Sequence, residues 1–81
     1  MHIQTNETLI ETGRGAFSRP YYLLSVAAGI VPAGSGMRQE NECYRIAYEI
    51  GGVRNSRSYK SYAEAKFEFE RLTTPIVEVR A

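Results

Sequence analysis

The segment from residue 43 to residue 64 constrains the fold more than any other part of this chain. Residues 43–50 read CYRIAYEI, in which tyrosine and isoleucine at the even positions alternate with arginine, alanine and glutamate. This alternation indicates an antiparallel strand with one buried face. The dipeptide Gly51–Gly52 predicts a hairpin turn, because glycine accepts positive φ at little cost. Residues 53–60, VRNSRSYK, then predict a polar strand at the edge of the sheet.

A helix is expected directly after this hairpin. Residues 61–64 read SYAE, the pattern of a capping box in which Ser61 caps the helix and Glu64 reaches back to it. We expect the helix to run to about Leu72 and to end at Thr73-Thr74-Pro75. Four of its residues fall on one stripe that should pack on the sheet: Tyr62, Ala65, Phe69 and Leu72. Residues 76–80, IVEVR, predict one more strand.

The N-terminal half gives weaker signals. Residues 2–12 predict a strand, with a bulge or turn near Asn6–Glu7 because the apolar residues do not keep one parity. For residues 18–30, SRPYYLLSVAAGI, we expect a mostly buried helix with Ser18 as its cap and Gly29 as its stop. A buried strand is the alternative, since Tyr-Tyr-Leu-Leu-Ser-Val suits one equally well. Residues 31–36 then read as a loop, and residues 37–42 as a polar approach to the next strand.

These elements predict one α+β domain over residues 1–81. The expected architecture is a small antiparallel sheet of three to four strands packed by one or two helices. The C-terminal order is strand–strand–helix–strand. A content of 43% hydrophobic and 23% charged residues is that of an ordinary globular chain.

The composition argues against several classes of function. The single histidine, His2, and the single cysteine, Cys43, lie in no ligand pattern, so we expect no metal site and no cofactor. The glycine-containing stretches GRG and AGSG lack the lysine of a phosphate-binding loop. We therefore expect a protein that is not an enzyme. A lone cysteine without a targeting signal points to the cytoplasm of the host cell, and no apolar run is long enough for a membrane span.

Two groups of residues are candidates for binding. Arg54, Arg57 and Lys60, with Tyr59 beside them, would give a sheet the arginines and the aromatic ring that contact DNA bases and phosphates. The alternative is a solvated edge strand whose charges prevent aggregation. Phe67 falls off the apolar stripe of the helix, so it is expected to be an exposed anchor for a protein partner. Its alternative is burial under the N-terminal half.

The chain shows two partial resemblances to known families. The segment YRIAYEIGGVRNSRSYKSYAEAKFEFERL resembles the arm-type DNA-binding domain at the N-terminus of phage integrases, and Tyr59-Lys60-Ser61 and Glu64-Ala65 match that family's strand end and helix start. Residues 44–79 are similar in size and architecture to small stand-alone phage proteins, including several anti-CRISPR proteins. The second resemblance implies a protein that blocks a bacterial immune complex by occupying a surface.

We therefore expect a phage or mobile-element protein that inhibits a CRISPR–Cas type complex by binding one of its protein subunits. With a net charge of +1, steric contact with a protein is favoured over mimicry of DNA. The alternative is a small sheet-based DNA-binding protein that acts as a regulator or a recombination accessory. A domain that dimerises through an edge strand remains a third class, and the sequence leaves monomer and homodimer open.

Overall fold

A four-stranded antiparallel sheet with one helix on it forms the centre of the structure. The computed structural model describes residues 2–74. Its elements are β1 (Glu7–Arg14), a short 3-10 helix (Ala16–Ser18), β2 (Pro20–Val26), β3 (Gly29–Ala33), β4 (Gly36–Glu40), β5 (Cys43–Ile50), β6 (Val53–Tyr59) and α1 (Tyr62–Thr73). The strand order of the main sheet is β1-β2-β5-β6, and β3 and β4 form a second, two-stranded sheet. The expected α+β class, a small sheet packed by a helix, is confirmed.

The helix expected over residues 18–30 is wrong, and the alternative of a buried strand is right. Pro20–Val26 forms β2, which pairs with β1 on one side and with β5 on the other. Leu23 is buried towards α1, and Leu24 is buried on the opposite face. A central strand that is buried on both faces carries a continuous apolar run, which is why its period resembled that of a buried helix. Ser18 has a φ of 58° and is the last residue of the 3-10 helix Ala16–Ser18, so it does not cap a helix over residues 18–30.

The loop expected over residues 31–36, with its polar extension to residue 42, is also wrong. Most of it forms the hairpin of β3 and β4, whose turn contains Gly34 with a φ of 61°. This hairpin continues the β2–β5 pair in the same register. Val26 pairs with Cys43 at the end of one ladder, and Gly29 pairs with Glu40 at the start of the next. The strands β2 and β3 therefore run antiparallel to β4 and β5 as one long two-stranded ribbon. Its pairing is interrupted between Val26–Cys43 and Gly29–Glu40.

The first strand begins later than its sequence pattern suggested. The expected turn is present at residues 5–6, and β1 starts only at Glu7. A register shift between Leu9 and Glu11 interrupts its pairing with β2. This bulge explains the change of parity among the apolar residues of β1, because one extra residue reverses the face that the following side chains occupy.

The second hairpin and the helix form where the sequence pattern places them. The single buried face expected for β5 is wrong, because Arg45 and Ala47 are buried as well as Ile46, and Tyr62, expected to pack on the sheet, is 43% exposed. The Ser61 hydroxyl accepts a hydrogen bond from the Glu64 backbone amide at 3.2 Å, as expected of the helix cap. The core between α1 and the sheet consists of Tyr21, Leu23, Ile46, Ala65 and Phe69, with Tyr44, Tyr48, Tyr59 and Leu72 packed against it. Within residues 2–74, no helix is long and apolar enough to cross a membrane. The strand expected over residues 76–80 lies outside the described residues.

Candidate functional site

The sheet face opposite α1 carries an ion network that alternates in sign. Glu7 accepts hydrogen bonds from Arg45 at 2.5 Å and from Arg54 at 2.5 and 2.9 Å. Arg45 also forms an ion pair with Glu40 at 3.1 Å, and Glu40 pairs with Arg38 at 2.9 Å. The network therefore joins β1, β4, β5 and β6 through three guanidinium groups and two carboxylates.

The carboxylates of this network are held in their charged form. Burial raises the pKa of Glu7, but hydrogen bonds from Arg54, the Gln4 amide and Arg45 outweigh it and lower the pKa from 4.5 to about 2. A hydrogen bond from Asn6 is the largest influence on Glu40, whose pKa is also lowered. Both carboxylates stabilise the folded state, because a buried arginine without a counter-charge would lower the free energy of unfolding.

This network changes the interpretation of the DNA-binding candidates Arg54, Arg57 and Lys60. Arg54 was expected to face DNA, but its guanidinium lies against Glu7 and also donates to the His2 carbonyl at 3.2 Å. Its positive charge is therefore largely compensated inside the protein. Lys60 follows the last residue of β6 and is exposed. The sequence could not reveal this pairing, since Glu7 and Arg54 are 47 residues apart.

A second charged region, which we call the α1–β6 cleft, lies between the helix and the edge strand. It is an open cavity of about 350 Å³. Its lining consists of Arg19, Tyr21, Ile46, Tyr48, Asn55, Ser56, Arg57, Tyr59, Glu68, Arg71 and Leu72. Two of the predicted binding residues, Arg57 and Tyr59, are thus brought together here. Arg19 and Arg71 were not singled out in the sequence, where no local pattern connects them to β6.

The arginines of the α1–β6 cleft differ in how they are engaged. Arg71 forms an ion pair with Glu68 one helical turn away, and this hydrogen bond lowers the pKa of Glu68. The Arg19 guanidinium lies over the Tyr48 ring, 5.9 Å from its centroid. Within residues 2–74, neither Arg19 nor Arg57 donates a side-chain hydrogen bond or forms an ion pair with a carboxylate. The cleft thus holds three arginines and one glutamate. Glu68 pairs with Arg71 and also attracts the charge of Arg57, while Arg19 and Arg57 form no ion pair.

Phe67 lies on the outer surface of α1, the helix that forms one wall of this cleft. Its side chain is 71% exposed, so the N-terminal half does not cover it. Glu68, the next residue, lines the cleft, as does Arg71 one turn further along the helix. Phe67, Arg57 and Tyr59 therefore lie on one side of the molecule, whereas Arg54 lies on the other face of the sheet.

The arrangement as a whole is suited to binding. No family model, curated protein or solved structure matches this chain. Residues 2–74 contain no group of three or more histidine, cysteine, aspartate or glutamate side chains that could hold a metal ion. What the described surface offers is an exposed aromatic ring on α1 and, between α1 and β6, a cleft with three arginines and one glutamate. Such a surface can provide an apolar anchor and anion recognition to one partner.

Proposed function

We propose that this chain is a binding protein that inhibits a bacterial defence complex of the CRISPR–Cas type by contacting one of its protein subunits. The mode of action rests on the surface around Phe67. The choice of partner rests on the resemblance of residues 44–79 to small phage proteins in size and architecture. The protein acts by occupying a surface and carries out no reaction of its own.

The observation that carries the proposal is the exposure of Phe67 on α1, the only α-helix of residues 2–74. A phenylalanine side chain buries roughly 150–250 Å² when a partner covers it. Its neighbours on the helix surface are charged, with Glu64 and Glu70 exposed and Arg71 at the cleft rim. An aromatic anchor surrounded by a polar rim is the usual composition of an interface hot spot.

The alternative of DNA binding is less well supported by the geometry. A sheet that lies in a DNA groove needs free arginines on its exposed face. On the face opposite α1, Arg38, Arg45 and Arg54 all pair with Glu7 or Glu40. Within residues 2–74, the basic side chains outside internal ion pairs are Arg14, Arg19, Arg57 and Lys60, and the net charge of +1 gives little overall attraction to phosphates.

The test is a pull-down of the tagged protein from a lysate that contains a CRISPR surveillance complex, with and without nuclease. We expect a nuclease-resistant protein band that weakens at least about tenfold with Phe67→Ala, since anchor residues contribute about 2 kcal/mol or more. Met37→Ala is the matched control, because Met37 is 66% exposed but lies on β4, away from the cleft. Recovery of nucleic acid alone, lost at high salt and with Arg57→Ala, would instead establish the DNA-binding alternative.

A further inference from the structure

We propose that the α1–β6 cleft recognises an acidic, extended segment of the protein partner, which pairs with the outer edge of β6. This inference rests on the proposed function, because it names the chemistry of the partner at the same surface. The segment would place carboxylate side chains at alternate positions against Arg57 and Arg19.

The first argument is the distribution of unpaired charge. Five basic side chains of residues 2–74 form ion pairs within the protein: Arg38, Arg45, Arg54, Lys66 and Arg71. Arg19 and Arg57 form none, and both line the cleft. Arg14 and Lys60 also form none, but both lie outside the cleft. An anion that enters the cleft therefore meets two guanidinium groups that form no internal ion pair, of which Arg57 is attracted at longer range by Glu68.

A polar cavity of about 450 Å³ on the opposite face shows the contrast. Arg38, Arg45 and Arg54 line it, together with Gln4, Glu40, Ser56 and Ser58. All three of its arginines are hydrogen-bonded to Glu7 or Glu40. An incoming anion would have to displace these buried carboxylates, which leaves their charges without partners. Positive charge is therefore available to a ligand at the α1–β6 cleft and not in this second cavity.

The second argument is the position of β6. Within the described part of the chain, β6 pairs only with β5, so its other side is a sheet edge. Extended peptides bind such edges through main-chain hydrogen bonds, while side-chain sites select their sequence. Arg57 pairs with Ile46 and Tyr59 pairs with Tyr44, which places both side chains on the face that carries α1.

These two arguments together define the pattern of the segment. A residue opposite Arg57 on an added strand would point towards the cleft, and opposite charges in such cross-strand pairs are favourable. Residues two positions away share this face. The intervening residues would lie beside Ser56 and Ser58. The nearby arginines, Arg38, Arg45 and Arg54, are already paired with Glu7 or Glu40. Acidic residues at every second position, with uncharged residues between them, therefore fit this edge.

The test uses the full chain and fluorescein-labelled nonapeptides in a polarisation assay. One peptide carries glutamate at every second position, and the other has the same composition with its glutamates contiguous. We expect the alternating peptide to bind about fivefold tighter or more, and Arg57→Ala or Arg19→Ala to weaken it by a similar factor. Every second backbone amide of the peptide can be N-methylated in two ways, at the odd or at the even positions. One of these two peptides should lose binding, because only one set of amides faces the edge of β6. Lys60→Ala is the matched control and should leave affinity within about twofold.

Two results would overturn the inference. Equal affinity for both peptides, with Lys60→Ala as harmful as Arg57→Ala, would show attraction by overall charge. Full binding by both N-methylated peptides would exclude pairing with β6. The proposed function fails separately, when the pull-down recovers no protein that depends on Phe67. A partner that requires Phe67 but tolerates Arg19→Ala and Arg57→Ala would keep the proposed function and reject the acidic segment.

Discussion

Replacing Glu7 with glutamine should remove a large part of the stability of this fold. The Glu7 side chain is fully buried, with 0% of its surface exposed, and it accepts hydrogen bonds from two arginines and one backbone amide. Glutamine keeps the shape but carries no charge, so Arg45 loses one of its two counter-charges in a site where only 9% of its side chain is exposed. Removing one partner of a buried ion pair costs about 3–5 kcal/mol.

The pKa of Glu7 gives an independent magnitude. A fall from 4.5 to about 2 corresponds to roughly 3 kcal/mol, at about 1.4 kcal/mol for each tenfold change in proton affinity. Because the pKa is lowered in the folded state, this stabilisation is complete above pH 4.5 and is lost as the pH falls towards 2. An 81-residue domain has a total stability of about 4–12 kcal/mol, so the loss is a large fraction of it.

Urea unfolding followed by tyrosine fluorescence measures both effects. We expect the free energy of unfolding at pH 7 to fall by about 3 kcal/mol in Glu7→Gln, and its decline below pH 4.5 to be shallower than in the wild type. Glu11→Gln on the same strand is the matched control, because Glu11 is 42% exposed and pairs only with Lys66 at the surface. A loss below about 1 kcal/mol, or an unchanged pH dependence, would refute the role assigned to the network.

Three further predictions follow from the packing. Phe69→Ala should lower the free energy of unfolding by about 3–5 kcal/mol because Phe69 is buried in the core, whereas Phe67→Ala should change it by under about 0.5 kcal/mol, both measured in urea. Gly15→Ala should cost about 1–3 kcal/mol by thermal unfolding, since its added Cβ would lie 2.5 Å from the Tyr21 ring and 2.6 Å from the Leu72 carbonyl, while Gly29→Ala meets nothing within 4 Å. Glu40→Gln should speed hydrogen exchange in β3 and β4 more than in β6, because Glu40 ties this hairpin to Arg45 and Asn6.

The sequence predicted the elements whose signals are local. The alternation in β5, the Gly51–Gly52 turn and the Ser61 cap each act over a few residues, and the structure contains all three. The state of β2 depends instead on pairing with β1 and β5, which are distant in sequence. Only that pairing buries both faces of β2, so no periodicity within residues 18–30 could separate a strand from a buried helix.

The same division holds for the candidate site. The exposure of Phe67 followed from its place off the helical stripe, which is a local property of α1. Whether each arginine forms an internal ion pair is not a local property of the sequence. Arg54 and Arg57 lie three residues apart on one polar strand, yet Glu7 from β1 reaches the first and no carboxylate of residues 2–74 forms an ion pair with the second. The difference arises from the two faces of β6, which meet different elements of the fold.

Salt dependence separates the ways in which this charge can be used. A protein that neutralises DNA phosphates releases counterions in proportion to its number of free cations, so its affinity falls steeply with salt. Here the buried network holds Arg38, Arg45 and Arg54 against its own carboxylates, and it leaves Arg19 and Arg57 at the cleft. Two guanidinium groups would give a shallow salt dependence, while a contact through Phe67 would not be screened by salt because its contribution would come from apolar burial. A complex that combines a weak response to salt with a strong response to Phe67→Ala is therefore what this distribution of charge supports.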